Sequence, residues 1–312
     1  MPAMHAVRFH EYGPPQRLLY EEAERPVANE EQLLVRVRAA GVNPFDWKVR
    51  RGDLKDSMPL ALPSTPGIDV AGVVEAVGPG VTDFNVGDEI YGRTRTGSYA
   101  EYAVASVATV ALKPTTLDFE QAASIPTGIG TAFVALEKAQ LQRGARLLVQ
   151  GAAGGVGNLI VQLAQQQGLS VIGTASTANV DFVRSLGADD VIDYTTTKFE
   201  DVVVGVDAVI DTVGGETANR SLTVIKDGGV IVEIAGPVDA DRAAQRDIRV
   251  ERPSARTNGD VLRRAATMVD AGQLRVTPPR IFPLTEAAQA HELSETRHGR
   301  GRIVLSVSGE RA

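Results

Sequence analysis

From residue 1 to about 121 the apolar positions come in short runs between glycine and proline breaks. Residues 33–40, 70–77, 89–92 and 99–104 each read as a strand. Pro63, Pro66, Gly67, Gly78, Pro79, Gly80 and Gly87 supply the turns. That spacing predicts an all-β barrel or sandwich.

Near residue 122 the period changes. Residues 146–150 (RLLVQ) read as a short buried strand. A glycine-rich turn follows, then a helix whose Val156, Leu159, Ile160, Leu163 and Ala164 fall on one apolar face. Gly168 stands where a helix C-cap belongs. Next come a strand at 170–175, a helix around 179–186 and strands at 191–194 and 206–211. Another helix, a Gly228-Gly229 turn and a strand at 230–235 complete the run. Alternating strand and helix predict a doubly wound, parallel α/β sheet with right-handed crossovers. Beyond about 275, Thr285 reads as the cap of a helix reaching about Arg297, and 302–307 (RIVLSV) alternates as a terminal strand. This tail is expected to complete the N-terminal domain.

Composition narrows the function classes. With 312 residues, 43% hydrophobic and 23% charged, the chain can bury a substantial core and is neither disordered nor fibrous. Cysteine is absent, which removes disulfides, a thiolate nucleophile and Cys-ligated metal centres, and fits the cytoplasm. A net charge of −7 argues against nucleic acid as a ligand. The opening Met1-Pro2-Ala3-Met4-His5-Ala6-Val7-Arg8 lacks the apolar core of a signal peptide. The best apolar stretch, 202–210, is cut by Asp207 and falls well short of the ~18 residues of a membrane span.

The sharpest local signal is Gly151-Ala152-Ala153-Gly154-Gly155-Val156-Gly157, between a predicted strand and a predicted helix. It fits G-x-G-x-x-G at Gly154 and Gly157, with Ala152 in the first glycine's place. In that pattern the second glycine lets backbone approach a pyrophosphate and the third lets helix and strand pack closely. A plain tight turn would use the same residues, but the strand–turn–helix setting favours a dinucleotide. NAD sites usually carry an acidic residue some ~20 positions later. Here that region reads Gly173-Thr174-Ala175-Ser176-Thr177, whose hydroxyls would admit a 2′-phosphate where a carboxylate would repel it. The expectation is NADP(H), although Ser176 and Thr177 would also serve as helix caps.

Further motifs extend over nearly the whole chain: Ala6-Val7-Arg8-Phe9-His10-Glu11-Tyr12-Gly13, Ala40-Gly41-Val42-Asn43-Pro44-Phe45-Asp46-Trp47-Lys48, and Pro66-Gly67-Ile68-Asp69-Val70-Ala71-Gly72-Val73-Val74. Val86-Gly87-Asp88, Leu186-Gly187-Ala188-Asp189, Asp211-Thr212-Val213-Gly214-Gly215 and Gly299-Arg300-Gly301-Arg302-Ile303-Val304-Leu305 follow in order. With the glycine loop, they resemble the zinc-free quinone oxidoreductase (zeta-crystallin-type) branch of the medium-chain dehydrogenase/reductase superfamily. The resemblance implies a GroES-like β-barrel catalytic domain at 1–121 and 276–312, with a Rossmann NADP(H)-binding domain inserted at 122–275. A homodimer paired through edge strands of the cofactor domains is also implied.

Zinc alcohol dehydrogenases of the same superfamily hold catalytic zinc with a Cys and with the His of a Gly-His-Glu motif. Asn43-Pro44 and Gly67-Ile68-Asp69 stand in those places here, and no zinc is expected. Without that Lewis acid the implied reaction is hydride transfer to an already electrophilic acceptor, a quinone or alternatively an enone or 2-alkenal. By resemblance, Asn43 and Lys48 are the catalytic candidates, and Thr127 and Thr131 lie beside the nicotinamide ribose. Asn43 is equally a turn residue before Pro44, and Lys48 equally a surface lysine. Ala153, Gly154, Gly155, Val156, Thr174, Ser176, Tyr194, Val213, Ala235 and Gly236 are the other cofactor candidates. The lysine that many relatives carry four residues past Ser176 is replaced by Val180, followed by Asp181, with Arg184 either a substitute cation or a solvent-facing residue. A non-catalytic crystallin-like or nucleotide-sensing role would keep the glycine loop without turnover, and RNA binding is disfavoured by the charge.

Overall fold

The computed structural model describes residues 3–254 and 257–307. Met1 and Pro2 of the leader reading, and 308–312 of the expected first domain, lie outside the described residues. The chain divides into two compact units. One comprises Met1–Thr127, Thr257–His298 and Arg302–Ala312; the other comprises Gly128–Arg256 and Gly299–Gly301.

These divisions differ from the boundaries expected at 121 and 275, and packing gives the reason. The helix Phe119–Ala123 lies on the strands Gln32–Val42 and Asp69–Val77 of the first unit. The approach is so close that a Cβ on Gly41 would stand 2.5 Å from the Ala123 carbonyl oxygen. The helix Gly259–Asp270 buries Leu262, Ala265, Met268 and Val269 in the same unit. Tyr91 donates its hydroxyl to the Leu262 carbonyl there, at 2.6 Å.

In the first unit, six strands run in the order Arg280–Pro283, Ile303–Ser306, Gln32–Val42, Asp69–Val77, Glu89–Thr94 and Tyr102–Leu112. Gln32–Val42 also pairs with Tyr102–Leu112, which closes the antiparallel part into a barrel. Its interior holds Phe9, Leu33, Val35, Val70, Ile90 and Leu305. The strand expected at 99–104 starts at Tyr102, because Gly97, Ser98 and Tyr99 form a turn bonded back to Pro66 and Gly67. Thr285 is not a helix cap: it lies inside the 3-10 turn Leu284–Glu286, and the helix proper is Ala287–Glu295. The helix Pro44–Arg51 went unpredicted because a proline masks it. Pro44 occupies the first helical position, where a missing N–H costs nothing.

The second unit is a six-stranded parallel sheet in the order Arg249–Glu251, Ile225–Glu233, Val206–Asp211, Arg146–Gln150, Ser170–Ala175 and Asp190–Asp193. The first of these strands in the chain lies mid-sheet, so the order reverses between Arg146–Gln150 and Val206–Asp211. Leu148, Ile172, Ile192, Val209 and Ile231 form a buried layer on it. The expected Gly228-Gly229 turn instead lies within the strand Ile225–Glu233. Gly228 takes φ +74° there, and the register shifts between Val206 and Ala208. Gly168, at φ +75°, follows the helix Gly157–Gln166 as a C-terminal glycine.

Candidate functional site

Two sites are built separately, one in each unit. In the first, Asn43 is the N-cap of the helix Pro44–Arg51. The Asp46 carboxylate accepts the Asn43 backbone N–H at 2.8 Å, half of a capping box. The Asn43 side chain turns elsewhere. Its Nδ2 donates to Asp69 Oδ2 at 3.0 Å, and its Oδ1 accepts from Arg302 Nη1 at 2.5 Å. Asp69 also accepts the Thr127 backbone N–H at 3.1 Å and the Thr127 hydroxyl at 2.6 Å. Asn43 and Thr127 are thus joined through one carboxylate.

Behind this cluster, Tyr99 donates to Asp46 Oδ2 at 3.2 Å and meets His291 Nε2 at 3.0 Å. Burial pushes the Asp46 carboxyl up to about 8, against the hydrogen bonds from Asn43 and Tyr99 and the nearby Arg302. Burial also drives the His291 imidazole down to about 3, helped by Arg50, so it is neutral at physiological pH. Since Tyr99 donates its hydroxyl to Asp46, His291 Nε2–H is the donor to the tyrosine oxygen. Burial raises Asp69 as well, opposed by Arg302, Thr127 and Asn43. Lys48 sits on the same helix as the Asn43 cap but outside this network, with its ammonium 5.7 Å from the Trp47 ring centre.

In the second unit the candidates gather at the carboxyl ends of the sheet strands. Gly151 takes φ +71°, and a Cβ there would lie 2.5 Å from Thr212 Oγ1. The turn glycine of the loop is therefore Gly151, one residue before the Ala152 matched by spacing. A Cβ on Gly157 would come within 2.3 Å of the Gly151 carbonyl oxygen and 2.9 Å of Ala152 Cα. One on Gly154 would meet only the Gly151 oxygen, at 3.2 Å. The helix that follows has no side-chain cap and no acidic residue in its first turn. Its positive end is unopposed, and the residues fit a dinucleotide pyrophosphate.

Thr174 works from inside this loop. It is buried, accepts the Gly151 N–H at 3.1 Å and donates to Gln150 Oε1 at 2.8 Å. Ser176 makes no side-chain cap; its Oγ accepts from Asn179 Nδ2 at 3.0 Å. Thr177 donates to Asp193 at 2.6 Å. Tyr194 and Val213 are exposed. Gly214, at φ +80°, packs on Ala235 and gives its N–H to the buried Asp211 at 2.8 Å. Gly236 borders open space. Thr131 is buried in the helix Pro126–Ala139.

Arg184 pairs with Asp181 at 3.5 Å, so the expected substitute cation has its own partner. A different arginine reaches Ser176's turn. Arg300 donates to Asn179 Oδ1 at 2.9 Å and to the Ala178 carbonyl at 3.1 Å, with its guanidinium 4.4 Å from the Phe182 ring centre. Gly301 beside it donates to the Ala153 carbonyl at 2.9 Å, tying this tail segment to the glycine loop. Asp69, Arg300 and Arg302 appear in sequence only as parts of motifs. For Asp69 and Arg302 the available signal was a charge at the edge of an apolar strand, which burial forces to find partners; Arg300 is exposed.

Residues 29–115 match the family described as alcohol dehydrogenase GroES-like domain, and 186–305 match the one described as zinc-binding dehydrogenase. The quinone oxidoreductase of Sus scrofa is 34% identical, over 97% of this chain and 97% of its own. The chain belongs to the quinone oxidoreductase branch of the medium-chain dehydrogenase/reductase superfamily. The chloroplastic NADPH-dependent alkenal/one oxidoreductase of Arabidopsis thaliana is 39% identical over 90% of this chain and 73% of its own. A mycobacterial protein solved in complex with NADPH superposes with a TM-score of 0.87 at 32% identity, covering 97% of this chain and 100% of that one. The protein is a quinone oxidoreductase-like enzyme, and its two units are the GroES-like and Rossmann-like domains of that branch. Among the described residues, no cluster of three or more His, Asp or Glu could hold a metal, and no helix is long and apolar enough to cross a membrane.

Proposed function

We infer that the enzyme is an NADPH-dependent, zinc-independent reductase of quinones. The observation that carries the reading is the cradle of the second unit: a glycine loop on an unopposed helix N-terminus, with Ser176 and Arg300 beside it. Ala153, Gly154, Gly155 and Val156 would hold the pyrophosphate. Ser176, Tyr194 and Arg300 would hold the 2′-phosphate, with Val213, Ala235 and Gly236 along the same strand ends. Thr174 supports the loop. Thr127 and Thr131 would serve the nicotinamide ribose, and Asn43 and Lys48 the acceptor oxygen. When bound, NADPH supplies the hydride; the chain's own part is to orient the acceptor and stabilise its developing oxyanion.

Zinc is not needed for an electrophilic acceptor. Asp69, which stands in the Gly-His-Glu region, is already committed to Asn43 and Thr127. Stoichiometric zinc in the purified enzyme would overturn this part. Reduction of an enone is the second reading, supported by the likeness to the Arabidopsis alkenal/one oxidoreductase. NADPH absorbance followed in parallel with 1,4-benzoquinone, 9,10-phenanthrenequinone and a short enone separates the two. Absence of turnover with every acceptor favours a nucleotide-sensing role instead.

Arg300→Ala tests the cofactor preference. It is expected to weaken NADPH binding about 10-fold and NADH binding less than about twofold, as loss of a charged hydrogen-bond partner to phosphate implies. Fluorescence titration measures both constants; equal weakening removes Arg300 from the 2′-phosphate site. Pairing into a homodimer would use Asp190–Asp193 or Arg249–Glu251, the two edges of the parallel sheet. A light-scattering mass near twice 33.1 kDa checks it.

A further inference from the structure

A side-chain amide has two ends of almost equal shape, so its orientation is decided by its partners. Both ends of Asn43 are decided. Asp69 receives three donors on two oxygens (Asn43 Nδ2, the Thr127 N–H and the Thr127 hydroxyl), the arrangement of an acceptor-only carboxylate. A guanidinium only donates, and Arg302 Nη1 lies 2.5 Å from Asn43 Oδ1. Asn43 and Asp69 are each 1% exposed, so water does not compete for these bonds. The backbone is held too, by Asp46 on the Asn43 N–H. Of the two Nδ2 hydrogens one goes to Asp69, and the other meets no acceptor among the described residues. The neighbours on either side also keep unused capacity: Arg302 Nε and Nη2 and Asp46 Oδ1 are buried without a partner among the described residues.

We propose that Asp69 and Arg302 are positioning residues that fix the direction of the Asn43 amide, leaving its second Nδ2 hydrogen as the donor to the acceptor's oxygen. This rests on the reductase reading above. It adds that the donor's direction is set by a carboxylate on one side and a guanidinium on the other. Neither positioning residue needs to touch the substrate.

Three variants separate this role from a structural one. Asp69→Asn makes the partner of Asn43 ambiguous. The double variant N43D/D69N keeps one carboxylate and one amide: the group at 43 accepts from Arg302, and the group at 69 donates to it while accepting from the Thr127 hydroxyl. The bonds to Arg302 and to the Thr127 hydroxyl are retained, the Thr127 N–H gives up its acceptor at the former Oδ2, and position 43 loses its N–H. The double variant is expected to melt within a few degrees of wild type and to bind NADPH within about twofold. Its kcat with 1,4-benzoquinone is expected to fall at least ~10-fold, in line with the loss of one oxyanion donor. Asp69→Asn should also lose kcat while its Kd for NADPH holds. Recovery of wild-type kcat by N43D/D69N overturns the proposal. If these chains fail to fold, Arg302→Lys, which keeps charge and donor, is compared with Arg302→Met, which keeps neither: a ~10-fold lower kcat in Arg302→Met than in Arg302→Lys at held Kd for NADPH supports the role, and equal kcat in the two overturns it.

A readout independent of turnover separates this inference from the reductase reading. With 15N-labelled asparagine, the Asn43 side chain should show one strongly hydrogen-bonded, exchange-protected Nδ2 proton, lost in Asp69→Asn. Its absence in the wild type overturns the positioning inference whatever the activity. An inactive wild type that shows the protected proton instead sinks the reductase reading alone.

Discussion

Gly157→Ala is expected to cost the fold about 2–3 kcal/mol, whereas Gly154→Ala costs little stability and acts on NADPH instead. The two glycines lie three residues apart in one loop, but their surroundings differ. A Cβ on Gly157 would press on the Gly151 carbonyl oxygen at 2.3 Å and on Ala152 Cα at 2.9 Å. Both are backbone atoms, so the strand-to-helix turn itself must shift. The better helix propensity of alanine, about 0.8–1.0 kcal/mol, offsets only part of this. The melting temperature of Gly157→Ala should fall by about 5–10 °C, at ~2–4 °C per kcal/mol for a domain of this size. A Cβ on Gly154 meets only one carbonyl oxygen at 3.2 Å, which a small shift relieves. Its variant should melt within about 2 °C of wild type while its Kd for NADPH rises at least ~10-fold, because the methyl occupies the approach to the pyrophosphate. Thermal melts and fluorescence titration of the two variants decide it. Equal Tm losses, or unchanged NADPH binding in Gly154→Ala, contradict the division of roles.

Asp46→Asn should remove an unusual pH dependence. Asp46 is buried, and its carboxyl is pushed up to about 8 chiefly by that burial. Between ~4, where an exposed aspartate ionises, and about 8, the folded chain keeps a proton that the unfolded chain releases. The stability contributed by neutral Asp46 is full below ~4, declines as pH rises through that window and is gone above about 8. The slope is at most ~1.4 kcal/mol per pH unit. Asparagine copies the neutral acid in shape and has no proton to release. It still accepts from the Asn43 N–H and the Tyr99 hydroxyl, as Asp46 Oδ2 does. Relative to wild type, the Tm of Asp46→Asn should therefore climb from pH 5 to 8 and level off beyond. Melts by circular dichroism at each pH measure the difference. A difference that stays flat or falls means Asp46 is ionised in the folded protein.

Much of this enzyme was readable from one sequence because local rules suffice for it. Strand-length apolar runs between glycine and proline announce the barrel. A helical apolar stripe after RLLVQ announces the cradle, whose buried Leu159, Ile160, Leu163 and Ala164 follow the predicted face. The replacement of Gly-His-Glu by Gly67-Ile68-Asp69 carries the expectation of a zinc-free reaction in the residue types alone. Boundaries were less legible. Pro44 hid a helix start, and Gly228 hid a bulge within a strand, since proline and glycine mark breaks and special positions with the same letters.

The amino-acid order thus determined the period of each segment, the glycine loop and the chemistry that residue types allow or forbid. Tertiary structure decided what the buried charges do. Asp69 meets Asn43 across 26 positions and Thr127 across 58, and Arg302 meets Asn43 across 259. The exposed Arg300 likewise reaches Asn179 across 121 positions. Periodicity reaches only as far as one helix or strand. A buried ion, by contrast, is held by whichever partner the fold brings within hydrogen-bond distance, and nothing in local spacing encodes that meeting.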